Sequence, residues 1–133
     1  MDIEQISEKV SKEHGHIALK YISPDNKIRT SQISCLIVRN DRKIIIKASP
    51  HACNPNTFNF HMLNIGTILG TTKGIATCHK DDKFSYEKGR AIAIRRWKNQ
   101  IYGAMISDYK ACIKDYENDI NRVMNWQTKG GKS

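Results

Sequence analysis

No apolar run in the 133-residue sequence approaches the length needed to cross a bilayer, which points away from a helical membrane protein. The opening, MDIEQISEKV, is polar and acidic, and reads as neither a secretory signal nor a transit peptide. Cysteine is sparse and dispersed, at 35, 53, 78 and 112, with no CxxC pair. That spacing argues against a zinc ribbon or a thiol redox motif, and fits free thiols in a reducing cytosol. Catalytic signatures are missing as well. There is no GxSxG, no HExxH and no His/Cys/Asp order that suggests a nucleophile, and Glu87-Lys88 lacks the spacing of a nuclease metal centre. Asp81 and Asp82 are neighbours, so they support a turn more readily than they act as an acid–base pair. The segment GTTKG at 70–74 lacks the order of a Walker loop. Among the histidines and cysteines, His51, Cys53 and His61 are the only trio near one another, and no zinc pattern matches their spacing. The expectation is a protein that is not an enzyme, with no metal and no cofactor.

Acidic residues are also scarce: 13 Asp and Glu against 22 Lys and Arg, a formal charge of +9. The excess is concentrated. Residues 20–47 carry seven basic side chains against two acids, and residues 83–100 carry six against one. A focused positive surface attracts an anionic partner, whereas the plainer reading is a solvated basic face. No internal repeat or linker divides the chain, so a single domain over 1–126 with a disordered tail from 127 is expected.

Ile3, Ile6 and Val10 have helical spacing and predict a short helix over 2–13. A strand over 16–22 and a turn at Ser23-Pro24-Asp25-Asn26 follow. Residues 31–39 and 43–48 are β-branched runs around Asn40-Asp41-Arg42, the strongest hairpin signal present. The continuous Ile44-Ile45-Ile46 predicts a strand covered on both faces, or on one face by a partner subunit. Residues 49–63 read as an irregular loop, and 64–69 and 72–78 as two short strands or one bent strand broken at Gly70. Helices over 85–100 and 104–126, separated at Gly103, complete the chain. The second carries a three–four stripe from Met105 to Val123. The fold class is α+β, an antiparallel sheet with a short N-terminal helix and two C-terminal helices on one face.

The stretch from Gly74 to Lys98 has the densest chemistry. Ser85 is the N-cap expected for the first helix, Glu87 suits its positive end, and Arg95, Arg96 and Lys98 suit its negative end. Gly89 and Ala93 leave a smooth strip for a backbone or a flat ligand. Arg90, Arg95 and Arg96 offer guanidinium forks for phosphate oxygens. One of the last two faces the sheet, where Asp81, Asp82 or a ligand phosphate would meet it. His79 and Asp82 lie in the preceding turn, where an imidazole bonds a base or is merely solvated. Phe84 stands at the helix entrance, either as a base-facing ring or as a hydrophobic staple.

The strand end Ala76-Thr77-Cys78-His79, then Asp82-x-Phe84, then Gly89-Arg90-x-x-Ala93-x-Arg95 resembles small phage proteins of Gram-positive hosts. It is most similar to the type-one Thoeris anti-defence family, over residues 64–100. The resemblance implies a sponge in the host cytoplasm: a homo-oligomer, dimer or hexamer, that binds cyclic ADP-ribose isomers at a subunit interface without cleaving them. It assigns the ligand to Arg90, Arg95 and Arg96 through the pyrophosphate, and to His79, Asp82 and Phe84 through the base. Two other readings stay open. One is a small basic nucleic-acid-binding protein with a double-stranded-RNA-binding-like fold. The other is a protein inhibitor of a host defence enzyme, docking through 49–63.

Overall fold

In the computed structural model, residues 10–53 and 64–131 are described. The elements in chain order are β1 (Val10–Ile22), β2 (Ile28–Asn40), β3 (Lys43–Ala48), a 3-10 turn (Pro50–Cys53), α1 (Ile65–Thr71), β4 (Lys73–Thr77) and α2 (Tyr86–Gly131). The strands form one antiparallel sheet in the order β1-β2-β3-β4. The α+β class expected from the sequence is the one observed.

Alternation in the strands builds the inner face of the sheet. Ile17 and Leu19 of β1, Ile33, Cys35 and Ile37 of β2, Ile44, Ile46 and Ala48 of β3, and Ala76 of β4 are all buried. Onto them α2 lays Ala93, Trp97, Ile101 and Met105, one residue per turn along a single stripe. The helix comes closest at β4. A Cβ on Gly74 would lie 1.9 Å from the Ala93 carbonyl oxygen, so only glycine lets these backbones meet. The smooth strip expected at Gly89 and Ala93 is therefore used against strands: Ala93 meets Gly74, and Gly89 faces the Ile44 side chain. As an edge strand, β4 has backbone groups to satisfy, and α2 supplies partners. Gln100 accepts from the Lys73 amide at 3.1 Å, and Arg96 donates to the Ile75 carbonyl at 2.7 Å. On the opposite face of the sheet, Val38, Ile45 and Ile75 form a row across three strands and remain half-buried.

Four details differ from the sequence expectations. Residues 10–13, expected to end a helix, belong to β1, whose register with β2 runs unbroken from Val10↔Asn40 to Ile22↔Ile28. The rest of that expected helix lies outside the described residues. Residues 65–71 are a helix rather than a strand. Asn64 caps it by accepting from the Thr67 amide at 3.3 Å, and Ile65, Ile68 and Leu69 bury one helical face. Gly103 does not divide the C-terminal region. It has open space around it, so a helical glycine there costs only about 1 kcal/mol. Buried Ile101 and Met105 on either side hold the helix straight through. Finally, α2 continues past 126 to Gly131, giving 46 residues and a length of about 70 Å at 1.5 Å per residue.

Candidate functional site

A cleft of about 430 Å³ opens where β4 ends and α2 begins. Its floor is apolar, formed by Ile44, Ala76 and Ile92, with Phe84 at the side. Its rim is cationic, with Arg42, Lys83 and Lys88 against one acid, Asp82. Ser85 starts the helix beside it. The hydroxyl accepts from the Lys88 amide at 3.4 Å and the carbonyl accepts from the Gly89 amide at 3.0 Å, as expected for the N-cap. The positive end of the helix dipole thus points toward the cleft.

Arg42 organises the entrance. It sits in the β2–β3 turn, after Asp41 at φ 55°, and crosses to the turn that follows β4. Its Nη2 donates to the carbonyls of His79, at 2.8 Å, and of Asp82, and lies 3.4 Å from the Cys78 sulfur. The Cys78 amide donates back to the Arg42 carbonyl at 2.9 Å. Arg42 Nε is buried and has no hydrogen-bond partner, a donor whose isolation costs on the order of 1–3 kcal/mol.

A second cluster ties β1 to the start of α2. Glu13 accepts from the Tyr86 hydroxyl at 2.6 Å and from Arg90 Nε at 3.0 Å. The tyrosine bond, then the arginine, lower the Glu13 carboxyl below its ordinary range, against a partial desolvation that raises it. Burial, reinforced by the carboxylate, pushes the Tyr86 phenol up to about 12. The Arg39 guanidinium lies 4.4 Å from the centroid of the Phe84 ring, so one face of that ring is already covered by a cation.

Of the residues expected at the site, His79, Asp82 and Phe84 come together in the lining of the cleft. Arg90, Arg95 and Arg96 are not part of that lining. Arg90 is bound to Glu13, Arg96 to the Ile75 carbonyl, and Arg95 is exposed. Neither Asp81 nor Asp82 forms an ion pair with them; the acid that meets an arginine is Glu13, from the far end of the sheet. Sequence reasoning missed Arg42. Its only signal was a position in a hairpin turn, and nothing local connects it to a turn 36–40 residues later.

Among the described residues, no group of three or more His, Cys, Asp or Glu side chains could hold a metal ion. The side chains of His51, Cys53 and His61 lie outside the described set, as do residues 54–63 of the expected docking loop. Cys35 and Cys78 are free thiols. Burial raises the Cys35 thiol, partly offset by Arg90. No helix among the described residues is long and apolar enough to cross a membrane. Compared with protein-family models, with curated proteins and with solved structures, the chain finds no match.

Proposed function

We propose that this cleft captures a cyclic nucleotide of the cyclic ADP-ribose class and holds it without cleavage, as a phage anti-defence protein would in the host cytoplasm. One observation carries the reading. Arg42, which lines a cavity with an apolar floor, keeps a buried, unpartnered Nε, and Lys83, Lys88 and a helix N-terminus converge on the same space. Phosphate oxygens are the ligands that such donors favour. A floor of Ile44, Ala76 and Ile92 suits the flat face of a base. The volume falls within the ~300–1,000 Å³ of small-molecule sites. In this reading, His79 and Asp82 present polar edges to the base, and Phe84 offers the ring face that Arg39 leaves open. The resemblance over residues 64–100 supplies the ligand class.

The test is calorimetric titration of the full chain with cyclic ADP-ribose isomers, followed by heat release and mass spectrometry of the ligand. Saturable binding with recovery of intact ligand is expected. The Lys83→Ala/Lys88→Ala double variant, altered only at exposed positions, should weaken binding at least tenfold, about 1.4 kcal/mol, with an unchanged Tm. Conversion of the ligand would make the protein an enzyme. Binding only to generic duplexes, falling steeply with salt, would favour the nucleic-acid reading instead.

A further inference from the structure

Beyond Met105, the last buried residue among the described side chains of α2, the helix carries a run of large apolar side chains that stay exposed. Ile106, Ile113, Tyr116, Ile120, Val123 and Trp126 are each 54–65% exposed. Their order is regular. Ile106, Ile113 and Ile120 recur every seven residues, and Tyr109, Tyr116 and Val123 follow each of them by three. That is the a and d repeat of a coiled-coil seam sustained over three heptads, with β-branched residues at every a position. A lone solvated helix gains nothing from a period of 3.5, whereas a helix pair needs it.

We propose that this face is covered by the same face of a second copy of the chain, the two helices running antiparallel. In that register Ile106 lies opposite Val123, Tyr109 opposite Ile120 and Ile113 opposite Tyr116, each repeated by the two-fold axis. Every layer then pairs an isoleucine with one other apolar side chain. A parallel pair would stack Tyr109 on Tyr109 and Tyr116 on Tyr116. Charge points the same way. Between the antiparallel layers, Lys110 falls beside Glu117 of the second copy, twice over. In the parallel arrangement the flanking positions, Met105, Cys112 and Asp119 against Lys110, Glu117 and Met124, match no opposite charges. The five exposed seam side chains, Ile106, Ile113, Tyr116, Ile120 and Val123, at roughly 100 Å² each, would bury about 1,000 Å² for the pair, the least that a specific interface needs.

The same register makes a second contact. It brings Trp126 of the second copy level with Gly103 to Met105. There an apolar groove of about 380 Å³ runs between α2 and the turn end of the β1–β2 hairpin, lined by Tyr21, Ile22, Ile28, Tyr102 and Met105 together with Ile106 and Tyr109 from the start of the seam. Ile28, 78% exposed, is the most exposed large hydrophobic residue among those described. An indole seated there covers it and extends the interface from helix to sheet. None of this depends on what the cleft binds.

Sedimentation equilibrium of the full chain between 1 and 100 µM tests the pairing. A dimer is expected, and Ile113→Asp/Ile120→Asp should weaken it at least 100-fold without lowering amide protection in β2 and β3. Trp126→Ala should weaken it about tenfold. Lys110→Glu or Glu117→Lys alone should each weaken it about tenfold, and the double exchange should restore it. A wild-type monomer at 100 µM, or a dimer that survives the two aspartates, overturns the proposal. A double exchange that restores nothing overturns the antiparallel register.

Discussion

The two halves of α2 share one backbone and one kind of apolar stripe, yet they meet different surroundings. From Tyr86 to Met105 the stripe is buried against four strands, and the glycine at 74 lets helix and strand backbones touch. From Ile106 to Trp126 the stripe continues over about 30 Å and is mostly exposed. An apolar stripe therefore specifies that a face needs covering, and says nothing about which chain covers it. The near half obtains its stability within the fold, and in the proposed pairing the far half obtains it from association, since isolated helices are marginal in water.

Substitutions that separate the halves follow from this, in decreasing order of effect. Trp97→Ala removes a fully buried indole from the near half and its 3.0 Å bond to the Thr72 hydroxyl. Thermal unfolding should show a loss of about 4 kcal/mol, lowering Tm by roughly 15 °C. Gly74→Ala drives a methyl group into the Ala93 carbonyl and should cost about 3 kcal/mol by overpacking, measured by urea denaturation. In the far half, Ile120→Ala should change the unfolding free energy of the dilute monomer by less than about 0.5 kcal/mol. The Tm of the parent chain should still rise with protein concentration, as association stabilises the folded state.

The smallest effects lie at two ties of β1, one to the start of α2 and one in the turn that leads to β2. The Tyr86 phenol is held up to about 12, above its ordinary value near 10. Its contribution to stability is complete below pH ~10 and is lost as pH rises from there through about 12. Tyr86→Phe should flatten the fall of Tm over that window. On the acid side, the Ser23 and Arg29 bonds hold Asp25 down at about 2. Its contribution, present above pH ~4, is lost as pH falls through about 2, and Asp25→Asn should remove that step.

Local chemistry was the legible part of this sequence. The β2–β3 hairpin followed from β-branched runs around Asn40-Asp41-Arg42, and the start of α2 from Ser85. Residues 64–71 misled because two glycines and β-branched neighbours resemble a broken strand. Asn64 as a cap, with Ile65, Ile68 and Leu69 spaced three and four apart, outweighs that propensity once the apolar face is buried. The division expected at Gly103 failed for a related reason, since buried neighbours outweigh one exposed glycine. At the cleft, the turn residues His79, Asp82 and Phe84 were readable because they lie within six positions of one another. Arg42 and Glu13 were not, because their roles arise from pairings across the sheet that leave no local pattern.

Native mass spectrometry of the full chain titrated with cyclic ADP-ribose isomers tests the central claim, that each protomer's cleft holds one ligand intact, most directly. The account predicts a dimer that takes up two ligands of unaltered mass, with uptake lost in Lys83→Ala/Lys88→Ala. Protein that stays ligand-free at saturating concentration, or that releases a cleaved product, would contradict it.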